Sequence, residues 1–209
     1  DDKDSLLNGP IIMIKRDTEG VMWMGHWSNG LVSMDVATGE KTNYTQFLHM
    51  DSSNRTRVES LLIDGEKIWV GTNQNGLQVF DKRTNKFTEA FMVNANDKTS
   101  ISNNLIKDIL PYNKDTLLIA TLMGVDIFDK KTKSFKAITV REGLPNNLVQ
   151  ALMKDDFGNV WIACYTEGLC KMNMHDFSVT KYGISDGITD NIFGSKFYQL
   201  KNGKILLGV

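Results

Sequence analysis

The chain repeats one pattern about every 46 residues, and this period restricts the fold more than any other feature of its 209 residues. A short hydrophobic strand with tryptophan or leucine at its centre recurs at intervals of 46, 49, 43 and 45 residues. A glycine follows each of the first four centres, and an aspartate or asparagine stands five residues after that glycine. The centres are Trp23, Trp69, Leu118, Trp161 and Leu206, the glycines are Gly30, Gly76, Gly124 and Gly168, and the last landmarks are Asp35, Asp81, Asp129 and Asn173. Landmarks in one order and phase indicate stacked units, none of which buries its apolar faces alone.

Each repeat contains four short strands separated by polar turns. In the fourth repeat the pattern predicts strands at 149–153, 160–163, 169–172 and 177–182, and in the second at 58–63, 67–71, 77–80 and 86–91. Val149, Leu152 and Met153 also fit helical spacing, but that run is short and has turn residues on both sides. Four strands in about 45 residues are typical of a propeller blade. The sequence therefore predicts an all-β protein, a β-propeller of four-stranded antiparallel blades, with the recurring tryptophans packed in the core between blades.

The repeats divide the chain at about 1–48, 49–95, 96–140 and 141–185, with a partial fifth repeat at 186–209. We expect residues 1–209 to form a single propeller segment. Propellers usually have 4–8 blades, and the fifth repeat contains only its first two strands. The sequence thus predicts a fragment of a larger ring of about seven blades, with a closed four-bladed ring as the alternative.

Composition excludes several classes of protein. The 24 basic and 25 acidic residues give a net charge of −1 without a basic stripe, which argues against a nucleic-acid-binding protein. No apolar run reaches the length of a membrane span, and the first ten residues do not resemble a signal peptide. The two cysteines, Cys164 and Cys170, flank a turn; a disulfide is geometrically possible, but two buried thiols are favoured. No second cysteine–histidine pair completes a metal site.

The fourth repeat reads LPNNLVQALMKDDFGNVWIACYTEGLCKMN over residues 144–173, and residues 17–35 follow the same pattern. This motif resembles the two-component regulator propeller repeat, and 186–208 is similar to a variant repeat found late in such propellers. The resemblance implies a periplasmic sensor domain of a hybrid two-component system from gut Bacteroidetes, which responds to breakdown products of complex glycans. The chain contains no kinase, phosphoacceptor or DNA-binding segment, so the resemblance places the output domain and the membrane anchor elsewhere in the parent protein.

Two sets of loops are expected to form the ligand-binding face: those that enter each first strand, and those between the second and third strands. Trp27, Asn73, Leu122 and Tyr165 occupy one variable position of the aligned repeats, as expected where a rigid scaffold carries function on its loops. Aromatic rings there could stack on sugars, amides and carboxylates could bind hydroxyls, and Arg55 or Arg57 could bind a uronate or sulfate. The asparagines are also ordinary turn residues. The candidate ligand-binding residues are His26, Trp27, Asn29, Arg55, Arg57, Asn73, Gln74, Asn104, Tyr165 and Glu167.

No catalytic constellation is recognisable. The histidines lie in unrelated contexts, and aspartates that recur in every turn are structural, because catalysis needs one site rather than five. We therefore expect no enzyme activity, no cofactor and no metal in this segment, and an oligosaccharide ligand. The alternatives are a scaffold for protein partners or a homodimer, and a carbohydrate-active enzyme with a carboxylate pair such as Glu167 and Asp190.

Overall fold

The computed structural model describes residues 9–49, 56–166, 168–188, 196–200 and 204–208. Contacts divide the chain into two compact units, Asp1–Phe91 and Met92–Val209, and each is treated by itself below. The described secondary structure consists of β-strands and two single-turn 3-10 helices at Val140–Glu142 and Ile184–Asp186.

The first unit contains two four-stranded sheets, here called blades 1 and 2. Within each blade, consecutive strands pair antiparallel in chain order. Blade 1 consists of β1 (Ile11–Arg16), β2 (Val21–His26), β3 (Leu31–Asp35) and β4 (Lys41–Tyr44); blade 2 consists of β5 (Val58–Asp64), β6 (Lys67–Thr72), β7 (Leu77–Asp81) and β8 (Lys86–Phe91).

The second unit contains blades 3 and 4, built in the same way, and a two-stranded sheet from the fifth repeat. Blade 3 consists of β9 (Ile106–Pro111), β10 (Thr116–Thr121), β11 (Gly124–Asp129) and β12 (Ser134–Ile138); blade 4 consists of β13 (Val149–Lys154), β14 (Val160–Cys164), β15 (Gly168–Met172) and β16 (Val179–Tyr182); β17 (Phe197–Gln199) pairs with β18 (Ile205–Leu207). The prediction of four-stranded antiparallel blades is confirmed. The predicted strand at 177–182 starts two residues later, because Phe177 closes the preceding turn with φ of 59°.

The two blades of the first unit pack through an aromatic core. The centroid of the Trp23 ring lies 5.5 Å from that of Phe80, and Phe47 lies 4.2 Å from Phe87. Apolar side chains of β5 and β6 complete this cluster. In the second unit, Leu118, Ile138 and Leu144 join blade 4 residues in a similar cluster.

The predicted burial of the tryptophans is only partly correct. Trp23 and Trp69 are buried, but Trp161 is half-buried beside Tyr182, with ring centroids 5.3 Å apart. Leu206, at the corresponding position of the fifth repeat, is 52% exposed. Beside blade 4, the described residues of the fifth repeat contribute Phe197 and Leu207 to a small cluster around Ala151 and Ala163.

The aspartates in the turn between the first and second strands of a blade have a structural role. The Trp23 indole N–H donates to Asp17 Oδ2 at 2.9 Å, and the Asp17 Oδ1 accepts the Val21 amide at 2.9 Å. The indole N–H groups of Trp69 and Trp161 donate to Asp64 and Asp155 at 3.2 and 3.1 Å. The recurring aspartate–tryptophan spacing thus ties each turn to the strand that follows it.

Cys164 and Cys170 are buried and unbonded. Cys164 pairs across the sheet with Gly168 and Cys170 with Ile162, so the cysteines are diagonal rather than directly opposite. Diagonal neighbours lie roughly 7–8 Å apart, too far for a disulfide without backbone movement. A hydrogen bond with Cys164 and burial both raise the pKa of the Cys170 thiol. The favoured interpretation, two buried thiols, is confirmed.

Candidate functional site

A bulge at one position of every blade sets where the candidate loops begin. In β1, β5, β9 and β13 the register shifts just after the first residue, and that residue pairs with the last residue of the second strand. The pairs are Ile11–His26, Val58–Thr72, Ile106–Thr121 and Val149–Cys164. Each loop between the second and third strands begins directly after the last residue of the second strand. The same bulge therefore positions all four loops.

The last residue of the second strand organises the loop that follows it, with different chemistry in each blade. Thr72 Oγ1 donates to the Gly76 carbonyl at 2.8 Å and accepts the Asn75 amide at 2.8 Å. Thr121 Oγ1 makes the corresponding bond to the Gly124 carbonyl at 3.1 Å, and the Cys164 thiol donates to the Asn146 carbonyl at 3.3 Å. These residues therefore support the loops from inside.

His26 occupies this supporting position in blade 1, which moves it out of the predicted set of ligand-facing residues. It is buried, and its Nδ1 accepts the amides of Ser28 and Asn29, both at 3.0 Å. Its Nε2 lies 3.1 Å from the Gly9 carbonyl, so the neutral ring carries its proton on Nε2 and donates it there. Gly9 has φ of +136°, and a Cβ at this residue would lie 2.9 Å from His26 Cε1, so only glycine fits. His26 thus joins the candidate loop to the segment that enters β1.

Trp27 is the most prominent side chain of this loop. Its amide donates to the Pro10 carbonyl at 3.0 Å, so the β2–β3 loop and the segment entering β1 lie side by side, as predicted. The indole is 48% exposed. The guanidinium carbon of Arg57 lies 4.0 Å from the ring centroid, a distance at which cation–π attraction holds a ring in place.

Arg57 is held from two sides. Its backbone is tied to Asn73, since the Arg57 amide donates to Asn73 Oδ1 and the Asn73 amide donates to the Arg57 carbonyl, both at 3.1 Å. Its guanidinium contacts the carboxylate of Glu59 through both Nε and Nη2. Glu59 is 7% exposed, so the partner of the arginine is buried. Glu59 was not among the predicted site residues, because it lies at the bulge of β5, where the alternation of side chains is interrupted.

These residues surround a cavity of about 310 Å³. It is lined by Gly9, Pro10, Trp27, Ser28, Arg57 and Asn73. Two predicted ligand residues, Asn29 and Gln74, lie on the same loops; Gln74 is exposed and Asn29 half-buried. The structure therefore brings Trp27, Arg57 and Asn73 together around one opening, with a half-exposed aromatic ring as its main surface.

The predicted residues of the second unit are less closely grouped. Tyr165 is 48% exposed, and its amide donates to the Leu148 carbonyl at 2.9 Å, the counterpart of the Trp27 contact. Beside it, Asn146 Nδ2 donates to Thr166 Oγ1 at 3.0 Å. Asn104 has a structural contact, because its Oδ1 accepts the Val93 amide at 2.8 Å. Arg55, Glu167 and Asp190 lie outside the described residues.

Asp126 is a buried carboxylate that the sequence analysis did not single out. Its Oδ2 accepts the Ser102 amide at 3.1 Å and the Ser102 hydroxyl at 2.6 Å, which fastens the segment entering blade 3. Its Oδ1 is buried and has no hydrogen-bond partner among the described residues. Burial raises the pKa of Asp126 to about 6, although the two hydrogen bonds from Ser102 act in the lowering direction.

Two further properties bear on function. The described part of the chain contains no group of three or more histidine, cysteine, aspartate or glutamate residues that could hold a metal ion. It also contains no helix of the length and apolarity that crossing a membrane requires.

Comparison with solved structures defines the class: the blades are those of β-propeller domains. The chain superposes on the extracellular domain of BT3049 of B. thetaiotaomicron, described as a hybrid two component system, with a TM-score of 0.81 and 20% identity over 97% of this chain and 28% of that one. The extracellular domain of BT4673 of the same organism, described as a one component system, superposes with a TM-score of 0.79 and 21% identity, over 96% of this chain and 28% of that one. PorZ, an essential surface component of the type-IX secretion system of Porphyromonas gingivalis, superposes with a TM-score of 0.75 and 12% identity, over 99% of this chain and 32% of that one. At these low identities, the TM-scores show a shared fold and nothing further.

The family is indicated by the fourth repeat. Residues 143–166 match the family model described as "Two component regulator propeller". This match confirms the resemblance inferred from the sequence. No curated protein matches the chain. The chain spans 28% of the length of each of the two B. thetaiotaomicron domains.

Proposed function

We propose that this chain is part of the extracytoplasmic, periplasmic ligand-sensing propeller of a two-component signalling receptor, and that its ligand is an oligosaccharide. The observation that carries the proposal is the half-exposed Trp27 indole, fixed beside a cavity of about 310 Å³ on the loops expected to bind ligand. The match at residues 143–166 and the likeness to extracellular domains of two component systems support the sensing role.

A sugar fits this opening for a physical reason. The C–H face of a pyranose is apolar and packs on an aromatic ring, while its hydroxyls need nearby hydrogen-bond groups. Trp27 supplies the ring, and Ser28 and Asn73 supply polar groups in the same cavity wall. The ring is held by backbone contacts and by Arg57, so little ordering is needed when a ligand binds.

The segment itself is proposed to be non-catalytic, with the kinase and the membrane anchor in other parts of the parent protein. Sensing then requires that the ligand bind one arrangement of the propeller, or of its homodimer, more tightly than another. The ligand shifts the population toward that arrangement by no more than the difference in the two affinities.

Thermal unfolding against a panel of oligosaccharides tests the proposal. A ligand at about 100 times its Kd stabilises the folded state by about 2.7 kcal/mol, which corresponds to a Tm increase of roughly 5–10 °C in a chain of this size. We expect Trp27→Ala to abolish the increase. Phe157→Ala is the matched control, because Phe157 is an aromatic residue that is 92% exposed in the turn between β13 and β14, which is not one of the loops expected to bind ligand. No Tm increase with any oligosaccharide would contradict the proposal.

The exposure of Phe157 also favours the second candidate function, a scaffold for a protein partner or a homodimer. An isolated aromatic side chain exposed to 92% in a turn is a suitable anchor for a protein partner. If the chain self-associates in sedimentation experiments and Phe157→Ser removes that association, the scaffold function is supported. Oligosaccharide binding that is unaffected by Phe157→Ser supports the sensor.

A further inference from the structure

The cavity beside Trp27 has one charged residue among its described lining residues, and the protein already compensates that charge. The charged residue is Arg57, whose Nε and Nη2 both contact the Glu59 carboxylate. Glu59 is 7% exposed, and a buried carboxylate is strongly destabilising when its ion pair is broken. Arg57 directs the N–H groups of Nε and Nη2 to that carboxylate, so its positive charge is compensated before a ligand binds.

The guanidinium of Arg57 also contacts the Trp27 ring. Its guanidinium carbon stacks 4.0 Å from the centroid of the Trp27 ring, and its side chain is only 23% exposed. The guanidinium thus covers one face of the indole, and Arg57 and Trp27 line the cavity together. This arrangement argues against the expectation that Arg57 binds a uronate or sulfate, because Glu59 compensates the charge that would attract such a group.

From these contacts we infer that the sugar ring stacked on Trp27 is uncharged, and that Glu59 is the residue that determines this specificity. An anionic sugar placed here finds no net positive charge, since the arginine and the glutamate cancel one another, and it loses hydration on entering the cavity. A neutral sugar loses much less. The inference rests on the proposed function, because it defines the class of sugar for the same site.

Charge at the site can be measured without any sugar. Iodide, caesium and acrylamide are anionic, cationic and neutral quenchers of indole fluorescence, and the Trp27 contribution is obtained by subtracting the Trp27→Phe variant. For wild type we expect iodide and caesium to quench Trp27 to a similar extent, relative to acrylamide. Glu59→Gln, which keeps the shape and an acceptor for Arg57, should raise the iodide-to-caesium ratio at least twofold.

Glu89→Gln is the matched control, since it removes the same charge from a surface pair in which Glu89 Oε1 lies 3.1 Å from Lys67 Nζ. It should leave the ratio at the wild-type value. A wild-type ratio that already favours iodide severalfold would overturn the inference. So would a ratio that does not respond to Glu59→Gln.

The specificity itself is tested with neutral cello-, xylo- and malto-oligosaccharides against oligogalacturonates. We expect wild type to bind a member of the neutral set and not the oligogalacturonates, and Glu59→Gln to gain at least tenfold in affinity for oligogalacturonates. That gain should be lost in Glu59→Gln/Trp27→Ala. Wild-type binding of oligogalacturonates through Trp27 would overturn the inference and leave the proposed function intact. No binding of either class by either protein would overturn both.

Discussion

Blades 1 and 3 have the same four strands and the same bulge, but they are stabilised by different contacts. In blade 1 the turn carboxylate of Asp17 is buried and accepts the indole N–H of Trp23 at 2.9 Å. In blade 3 leucine replaces the tryptophan, and the corresponding Asp115 makes an exposed ion pair with Lys131 at 2.7 Å. The blade architecture therefore follows from strand pattern and turns, and the aspartate–tryptophan pair is a stabilising addition to it.

The loops between the second and third strands also differ between blades 1 and 3. Three residues separate His26 from Gly30 in blade 1, and two separate Thr121 from Gly124 in blade 3. The shorter loop packs so closely that a Cβ on Gly124 would collide with the Ile138 carbonyl. Blade 2 has the same loop length as blade 1 but has Asn73 at the position of Trp27. The residue at this position, rather than the frame, therefore distinguishes a blade that displays an aromatic ring from one that does not.

The largest expected effect compares two tryptophans of blade 1. Trp23→Ala removes a buried ring from the aromatic core and should lower the free energy of unfolding by about 3–5 kcal/mol. Trp27→Ala removes a half-exposed ring held by one cation–π contact and should cost about 1 kcal/mol or less. Urea unfolding followed by circular dichroism measures both. Equal losses would contradict the assignment of one tryptophan to the core and the other to the ligand surface.

The next effect belongs to blade 3 and depends on pH. The pKa of Asp126 is about 6 in the folded protein and 3.8 as the ordinary value, so the folded state holds its proton more tightly. Stability should therefore fall as pH rises from about 4 to about 6 and stay level above that. A difference of roughly two pKa units corresponds to about 3 kcal/mol.

Asp126→Asn isolates this contribution, because the amide does not titrate. The difference in unfolding free energy between variant and wild type should move in favour of the variant by about 2–3 kcal/mol between pH 4 and pH 7. Asp115→Asn in the same blade is the control, since its carboxylate is solvent-accessible. A difference that is constant over this pH range would show that Asp126 ionises without cost.

The smallest effect compares the two turn carboxylates. Burial alone would raise the pKa of Asp17, but hydrogen bonds from Trp23, Val21 and Lys82 outweigh it and lower that pKa. Asp17→Asn should cost about 2 kcal/mol at pH 7, because charge-assisted hydrogen bonds are weakened. The loss should begin to shrink as pH falls below about 3.8, the ordinary pKa, and should disappear only below the lowered pKa of folded Asp17, because the folded carboxylate keeps its charge until then.

Asp115→Asn should cost about 0.5 kcal/mol, as is usual for an exposed ion pair. Thermal unfolding of both variants at pH 7 and pH 3.5 gives the comparison. A larger loss from Asp115→Asn than from Asp17→Asn would reverse the assignment of buried and exposed turns.

Most of the frame could be predicted from the sequence because its signals are local. Alternating apolar runs and turn residues located the strands, and the aligned loops placed Trp27 and Tyr165 at corresponding positions. Turn aspartates were recognised as structural for the same reason. Asn73 and Asn104 accept the amides of residues 16 and 11 positions away in sequence, so their contacts are not the local turn contacts that asparagine usually makes.

The unpredicted features depend on contacts between segments distant in sequence or on irregular backbone. His26 is buried because the Gly9 segment covers it, and Asp126 because Ser102 lies against it. Glu59 was missed because it sits at the bulge, where strict alternation of faces fails. Periodicity in one sequence contains no information on these neighbours.

The most direct test of the proposed site is the indole region of a ¹H–¹⁵N correlation spectrum recorded during titration with the oligosaccharide that raises Tm most. Four indole signals are expected, one for each tryptophan. The indole N–H groups of Trp23, Trp69 and Trp161 donate to aspartates, so these three groups should exchange slowly with water. The signal missing from Trp27→Phe should exchange fast and move alone as ligand is added. Ligand-induced shifts confined to the other three signals would contradict a sugar site at Trp27.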